Sequence, residues 1–186
     1  MDHGADSYRR FRDCGDEAGL DELIRTYRDG LTLYLASIVG SMQTAEELAE
    51  ATFVLLGVRK PLFKGKSTFR TWLYTIGRHI AADYYRKQAR HIRVSMEDLP
   101  EQSGAADAVE VSYLKKEQRI KLHSAMRKLN PEYKQVLWLV YFDGFSNKEA
   151  AAIMKKSVRS TESILYRARK ALKAQLEAEG FHYEEL

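Results

Sequence analysis

The chain has 186 residues, 45% of them hydrophobic, and a net charge of +4, which suits one medium domain or two small ones. Its single cysteine, Cys14, excludes an internal disulfide framework and a zinc site built from several cysteines. A run of about 18 apolar residues is absent, and the polar first residues lack the layout of a secretory signal. These features predict a cytoplasmic protein without a membrane span.

The first half of the sequence predicts helices and no strands. Apolar residues recur at spacings of three and four from Leu20 to Ile38, which is the period of an amphipathic helix. Thr44 and Glu47 form a capping box, so a second helix is expected to begin at Thr44. A long third helix is expected from about Ser67 to Arg90.

Residues 94–108 show no sustained periodicity and carry turn formers and acids. We therefore expect a flexible linker there, between a first domain over 1–93 and a second domain over 109–186. The predicted fold class is all-α, with two small helical domains, the second of which contains a helix-turn-helix.

The second half predicts four helices, the last two of which are joined by a tight turn. Asn130-Pro131 and the Ser146–Glu149 capping box mark the starts of two of them, and Asp143-Gly144 marks an end. The helices are expected over about 109–129, 131–141, 146–154 and 158–178. Helix, tight turn and helix at these lengths match a helix-turn-helix, although other helical hairpins share the pattern.

The charges are sorted into blocks along the chain. Residues 59–93 contain ten Lys or Arg against one Asp or Glu, and residues 118–173 contain thirteen against four. Between them, residues 94–117 contain two against six. Two basic segments separated by an acidic one are typical of a protein that grips a polyanion at two places. Two solvated helix faces are the alternative interpretation.

The last predicted helix has the composition of a helix that reads DNA. In a helix-turn-helix the second helix lies in the major groove, with its first side chains against base edges. The residues expected to pack inward are Thr161, Leu165, Ala168 and Leu172, and those expected to face DNA are Arg159, Ser160, Glu162, Ser163, Tyr166, Arg167, Arg169 and Lys170. Arginine can bond guanine and glutamate can accept from cytosine, whereas the later cations suit phosphates. An ordinary basic surface helix is the alternative.

The first basic block differs because aromatic residues are interleaved with its cations. Basic grooves with exposed rings bind single strands, and each stacked base contributes about 1–3 kcal/mol. Phe63 lies in a loop beside Lys64 and Gly65, which makes it the better candidate for supporting a base removed from the stack. Trp72 is expected to be mainly core, and Tyr74 is expected to face outward.

Five motifs follow one another along the chain. They are AEEL with TF over 45–53, FKGKSTFRTWLYTIGR over 63–78, LNPEYK over 129–134, GFSNKEAA over 144–151 and YRARKAL over 166–172. Each motif is weak alone, but their order and spacing together are specific. With them the chain resembles, apart from the linker and tails, the small extracytoplasmic-function group of bacterial sigma factors.

The resemblance implies a non-catalytic initiation factor that binds core RNA polymerase and directs it to promoters. The family's acidic second helix docks on polymerase, which gives that contact to Glu46, Glu47 and Glu50. Capture of the −10 strand falls to Phe63, Lys64, Gly65, Lys66, Arg70, Tyr74, Arg78 and His79. The eight DNA-facing residues of the last helix correspond to the family's −35 recognition helix. An anti-sigma factor is a further partner that the resemblance implies.

Three features depart from the family pattern. His79 stands where the −10 pocket usually has asparagine, so base preference is expected to change while capture survives. The acidic motif over 44–51 has fewer acids at its ends, which weakens the expected polymerase contact. The recognition helix loses two cations and gains Glu162, which lowers the expected nonspecific DNA affinity.

No catalytic site is predicted. The sequence has no phosphate-binding glycine loop, and its five histidines are scattered rather than spaced as metal ligands, so no cofactor, metal or small-molecule substrate is expected. Two alternatives stay open. The chain could be a helix-turn-helix regulator that binds an operator, with its first half as a dimerisation or sensor domain. It could also be an adaptor that binds polymerase or a sigma factor without contacting DNA.

Overall fold

The computed structural model describes residues 2–94 and 121–180, and in these ranges it is built from helices and turns without strands. The elements are α1 (His3–Cys14), α2 (Glu17–Val39), α3 (Met42–Arg59), α4 (Phe69–Val94), α5 (Pro131–Leu137), a π-helix (Trp138–Phe142), α6 (Asn147–Met154) and α7 (Val158–Ala178); residues 121–127 are also helical. The all-α class is therefore confirmed. Apart from Val94, which ends α4, the predicted linker lies outside the described residues, as does most of the helix expected over 109–129.

The chain divides into two compact units. Helices α1–α4 belong to the first unit, the π-helix with α5 and α7 belongs to the second, and α6 has residues in both. Within the first unit, α2 packs against α1, α3 and α4. Leu31 and Leu35 of α2 are fully buried there, as are Leu56 of α3 and Leu73 of α4. Burying one such side chain stabilises a fold by about 1.5–3 kcal/mol. Because α2 contacts the three other helices, it is the centre of this unit.

The first helix, α1, was not predicted. Its buried face has few apolar residues, chiefly Ala5, Tyr8 and Phe11, and so short a repeat gives no clear helical period. The signals at its ends were nevertheless present. Asp2 accepts a hydrogen bond from the Ala5 N–H at 3.3 Å, and Gly15 ends the helix with a left-handed φ of 71°.

The expected helix start at Thr44 is wrong, because α3 begins at Met42. Ser41 is extended, and its hydroxyl accepts a hydrogen bond from the Thr44 N–H at 3.3 Å. Gly40 ends α2 in a left-handed conformation with φ 75°, so the chain changes direction directly before Ser41. Ser41 is therefore the N-cap, and Thr44 and Glu47 have the spacing of a capping box inside a helix that has already begun.

The helix starts predicted at Asn130-Pro131 and at Ser146 are confirmed, whereas the start expected near residue 109 lies outside the described residues. Asn130 accepts a hydrogen bond from the Tyr133 N–H at 2.9 Å. Ser146 and Glu149 form the reciprocal capping box: the Ser146 N–H donates to the Glu149 carboxylate at 3.0 Å, and the Glu149 N–H donates to Ser146 Oγ at 3.3 Å. Each such cap stabilises a helix by about 0.5–2 kcal/mol.

The helix expected to continue to Tyr141 changes pitch before its end. Its last part is the π-helix, in which the Asp143 N–H donates to the Trp138 carbonyl at 3.0 Å, five residues earlier in the chain. The Trp138 and Phe142 rings stack at 4.6 Å between centroids. The predicted stop is confirmed, because Gly144 takes a left-handed φ of 68° directly after Asp143.

Helix α6, the turn over 155–157 and α7 form the predicted helix-turn-helix. Lys155 has a left-handed φ of 55° in the turn, and Ser157 caps α7 by accepting a hydrogen bond from the Ser160 N–H at 3.1 Å. Of the residues expected to pack inward, Thr161, Leu165 and Ala168 are buried and Leu172 is half-buried. The opposite side of α7 is therefore the side available to a ligand.

Candidate nucleic-acid interface

The loop between α3 and α4, residues 60–68, presents cations to solvent, and we refer to it as the basic loop. Lys64, Gly65 and Lys66 are all exposed. Gly65 has a φ of 67°, which glycine adopts without steric cost, and a β-carbon added there would meet nothing within 4 Å. The backbone conformation, rather than lack of space, is therefore what favours glycine at this position.

Phe63 is the aromatic residue of the basic loop and is half-buried. Its ring lies edge-on to Phe69 at 5.7 Å and tilted against Trp72 at 5.2 Å between centroids. Aromatic pairs at such separations contribute about 0.5–1.5 kcal/mol beyond the area that they bury. Trp72 is half-buried rather than mainly core, so both rings keep some surface for a ligand.

The first turn of α4 is capped by two side chains. Thr68 Oγ1 accepts a hydrogen bond from the Thr71 N–H at 3.2 Å. Asp2 Oδ2 accepts one from the Phe69 N–H at 2.6 Å. Both contacts satisfy N–H groups that a helix leaves without partners at its N-terminus. The basic loop therefore leads into a helix whose first turn is fixed.

The prediction that Tyr74 faces outward is wrong. Its side chain is 1% exposed, and its ring stacks on Tyr34 at 5.2 Å between centroids. The reason is that α4 packs against both α2 and α3, so its buried surface is wider than a single stripe. The Arg70 guanidinium lies over the Tyr74 ring at 5.4 Å from the centroid, a cation–π distance. Tyr74 thus supports Arg70 and offers no face to a base.

Arg78 and His79 lie about two turns beyond Arg70 on α4 and are half-buried. The His79 Nε2 atom is buried and has no hydrogen-bond partner within the described part of the chain. Burial lowers the pKa of His79, and the charge of Arg78 lowers it further, so the imidazole is neutral at pH 7. A neutral imidazole can donate one hydrogen bond and accept another, but the buried Nε2 atom is closed to a ligand, so a base could be contacted only through the exposed part of the ring.

Glu46, Glu47 and Glu50 are all exposed on α3, and we call them the acidic face. Two exposed apolar residues follow on the same helix, Val54 at 55% and Val58 at 78% exposure. Sequence reasoning did not single them out, although spacings of four from Glu50 place them on successive turns. Apolar side chains bordered by charged ones are typical of protein-binding surfaces.

The eight residues predicted to face DNA are brought together on α7. Seven of them are exposed, and Ser160 is half-buried. The Lys170 ammonium lies 4.9 Å from the Tyr166 ring, and the hydrogen bond between the two side chains lowers the pKa of Tyr166 and raises that of Lys170. Glu162 forms no ion pair with any other described residue.

The second unit also contains an apolar groove of about 460 Å³ that the sequence did not indicate. It is lined by Leu122, Met126, Leu137, Tyr141, Phe142 and Leu172 and by the cations Arg169, Lys170 and Lys173. Two of the predicted DNA-facing residues, Arg169 and Lys170, therefore also border the groove. Helical periodicity identifies an apolar face on one helix, but it does not reveal a gap between several helices.

Comparison with known protein families finds one match in each unit. The family model for Sigma-70 region 2 matches residues 23–91, and that for Sigma-70, region 4 matches residues 119–172. The chain is 30% identical to the ECF RNA polymerase sigma factor SigM of Bacillus subtilis, over 83% of this chain and 93% of SigM. It is 29% identical to the RNA polymerase sigma factor YlaC of the same species, over 84% of this chain and 91% of YlaC. It is 28% identical to the ECF RNA polymerase sigma factor BldN of Streptomyces coelicolor, over 86% of this chain but only 61% of BldN.

Two solved structures share the fold. One is the sigma factor RpoE in complex with the anti-sigma factor NepR from Bartonella quintana, with a TM-score of 0.73 and 23% identity over 84% of this chain and 96% of that chain. The other is CnrH in complex with the cytosolic domain of CnrY, with a TM-score of 0.65 and 22% identity over 95% of this chain and 96% of that chain. Over residues 2–94 and 121–180, no helix combines the length and apolarity needed to cross a bilayer.

Proposed function

This chain belongs to the extracytoplasmic-function sigma factor family, and from this premise we propose how its two units divide the work of an alternative sigma factor. The protein is a transcription initiation factor that directs core RNA polymerase to specific promoters. We propose that the first unit binds polymerase and captures the unpaired −10 strand, and that the second unit reads the −35 duplex. The observation that supports this division is the match of region 2 to residues 23–91 and of region 4 to residues 119–172.

Capture of the −10 strand is assigned to the basic loop and the adjoining part of α4. The proposed surface comprises Phe63, Lys64, Gly65, Lys66, Arg70, Arg78 and His79. Exposed lysines attract phosphates, and the accessible part of the Phe63 ring can stack on a base. His79 supplies hydrogen-bonding atoms where the family usually has an amide. Tyr74 contributes indirectly, because its buried ring packs against the Arg70 guanidinium.

Binding to polymerase is assigned to the acidic face of α3, extended by Val54 and Val58. The three carboxylates give charge complementarity to a basic partner, which accelerates association and fixes orientation. The two exposed valines add apolar area that is removed from water on binding. This apolar extension offsets the loss of acids at the ends of the motif over 44–51 and supports a stable contact in spite of that loss.

Recognition of the −35 duplex is assigned to the exposed side of α7. Arg159, Glu162 and Ser163 lie in the first two turns, where a recognition helix meets base edges. Arg167, Arg169 and Lys170 follow and suit phosphates, which supply most of the sequence-independent affinity. Tyr166 is 53% exposed and presents an apolar ring beside these cations, which suits contact with a thymine methyl group.

We further propose that a protein partner, an anti-sigma factor, restrains this sigma factor by occupying the apolar groove of the second unit. Apolar walls with a basic border fit one face of an amphipathic helix that carries acidic residues. Because Arg169 and Lys170 border the groove and also belong to the proposed −35 surface, such a helix would compete with DNA for both side chains. RpoE of Bartonella quintana and its partner NepR provide a precedent for the pairing of this fold with an anti-sigma factor.

We propose that the protein has no catalytic activity of its own and that core polymerase carries out RNA synthesis. We also propose a location in the cytoplasm, because bacterial polymerase and promoter DNA are there. No cofactor or small-molecule substrate is needed for the proposed function.

The test begins with gel filtration of the protein with bacterial core RNA polymerase. Transcription from a library of promoter fragments then follows, and alignment of the start sites yields the −35 and −10 elements. Co-elution together with new start sites is the expected result. Co-elution without transcription would favour the adaptor, and specific duplex binding without co-elution would favour the operator-binding regulator.

A further inference from the structure

The Asp2 carboxylate, just before α1, caps two helices at once. Its Oδ1 accepts a hydrogen bond from the Ala5 N–H at 3.3 Å, at the start of α1, and its Oδ2 accepts one from the Phe69 N–H at 2.6 Å, at the start of α4. The partial positive charge of a helix N-terminus favours a negative group at both places. Asp2 therefore joins the first turn of α1 to the first turn of α4, the helix that the basic loop enters.

Tyr8 joins the middle of α1 to the basic loop. Its hydroxyl donates to the Pro61 carbonyl at 2.7 Å, and its ring lies 5.4 Å from Phe69 and 5.3 Å from Trp72. These are the same two rings that contact Phe63. Burial raises the pKa of Tyr8 to about 12, so the hydroxyl keeps its proton and remains a donor throughout the physiological pH range.

Lys60, the first residue of the basic loop, gives a third attachment to α1. Its ammonium lies 4.5 Å from the centroid of the Phe11 ring, and its φ of 41° is left-handed, which is unusual for a residue with a β-carbon. Both ends of the loop are thus held by α1 or by the residue that caps it, whereas Lys64, Gly65 and Lys66 in between are exposed.

We propose that α1 is a positioning element that holds the basic loop in the conformation that captures the −10 strand, with Asp2 and Tyr8 as positioning residues. The proposal rests on the function proposed above for that loop. Helix α1 lies before residue 23, where the match to region 2 begins. Tyr8 is 0% exposed, so it acts through Pro61 and the aromatic rings instead of touching DNA. A loop that is ordered before DNA arrives loses less conformational freedom on binding, which raises affinity.

The test compares Tyr8→Phe with Tyr85→Phe in the full-length chain assembled with core polymerase. Each change removes one tyrosine hydroxyl that donates to a backbone carbonyl, since Tyr85 donates to Ile38 at 3.0 Å and Tyr8 to Pro61. Only the Tyr8 bond reaches the basic loop. Affinities for a labelled single-stranded −10 oligonucleotide and for a −35 duplex, both taken from aligned start sites, are measured at a temperature where circular dichroism shows both variants folded.

Tyr8→Phe is expected to weaken single-strand binding by about three- to tenfold, the factor that corresponds to the net strength of one hydrogen bond. Binding of the −35 duplex is expected to stay unchanged, and Tyr85→Phe is expected to change neither affinity. Amide hydrogen exchange over residues 62–66 is expected to accelerate in Tyr8→Phe only. A merely structural role for Tyr8 would lower the melting temperature without changing the ratio of the two DNA affinities.

Asp2→Ala provides a second variant, because it removes both caps and leaves every aromatic ring in place. It is expected to weaken single-strand binding in the same selective way. Equal single-strand affinities for Tyr8→Phe and Tyr85→Phe, with equal exchange in the basic loop, would overturn the proposal. Failure of the wild-type holoenzyme to bind the single strand would instead overturn the function proposed for the loop, and this proposal with it.

Discussion

Replacing Glu162 with lysine tests the orientation of α7 on DNA. Glu162 is exposed in the second turn of α7, among the cations of the proposed −35 surface. A carboxylate at this position repels phosphates, whereas an ammonium group would attract one. We therefore expect Glu162→Lys to bind unrelated duplex DNA more tightly than the wild type does.

The size of the effect follows from counterion release. One added phosphate contact makes the logarithm of the binding constant fall more steeply with the logarithm of salt concentration, by about 0.9. A change in salt from 1 M to 0.1 M then raises the affinity of the variant about eightfold more than that of the wild type. Loss of the carboxylate's repulsion adds to this gain at low salt and is screened at high salt.

The assay is fluorescence anisotropy with a short labelled duplex that lacks the −35 element, titrated over a series of salt concentrations. Glu177→Lys is the control, because Glu177 is exposed near the C-terminal end of the same helix and gives the same change in charge; it also removes the surface ion pair of Glu177 with Lys173 at 3.7 Å. Equal slopes and affinities for the wild type and Glu162→Lys at low salt would refute the placement of Glu162 on the DNA side. Equal gains for the two variants would show that net charge, rather than position, controls binding.

Gly65→Ala is expected to destabilise the protein by about 1–2 kcal/mol because of its left-handed φ. Gly57→Ala, in α3, is expected to stabilise the protein by about 0.5–1 kcal/mol, since the new methyl group would meet only Leu20 at 3.5 Å. Urea unfolding measures the free-energy change of both variants. The unfolding free energy is expected to fall as the pH drops below about 6.5. The reason is that the pKa of His79 is lowered in the folded state, so the unfolded state binds a proton more readily than the folded state does. His79→Asn should flatten the pH dependence of the urea midpoint, and an unchanged curve would contradict this. Charge reversal of the whole acidic face is expected to abolish co-elution with core polymerase while duplex binding persists. Retained co-elution would show that the acidic face is not the polymerase-binding surface.

Helix starts were predictable where a capping side chain follows a turn that the sequence also marks. The Ser146–Glu149 box comes directly after Asp143-Gly144, and all of its hydrogen bonds form. The box at Thr44 has equally good spacing, but Gly40 ends the preceding helix early enough for Ser41 to cap first. Spacing therefore identifies a possible cap, and the end of the preceding element decides which cap is used.

Burial on α4 and the groove of the second unit could not be predicted for a different reason. Periodicity describes one helix against one core, whereas α4 packs against more than one neighbour, and this buries Tyr74 on a side that its own sequence pattern presents as outer. The groove likewise exists only because residues of several helices leave space between them. Both features depend on the relative placement of helices, which the period of a single helix does not contain.

The burial of Tyr74 restricts how the proposed strand capture can work. Phe63 is the aromatic member of the proposed −10 surface, and its ring contacts that of Trp72 at 5.2 Å, so a base can stack on Phe63 only where its ring is left open. In the proposed function, the exposed lysines of the basic loop contact phosphates, and such contacts carry no sequence information. In the proposed function, base preference is left to hydrogen-bonding groups such as the half-buried His79. Affinity for the −10 strand and preference for its bases therefore depend on different residues: we expect Lys64→Ala to weaken binding of all sequences equally, and His79→Asn to change which sequence is preferred.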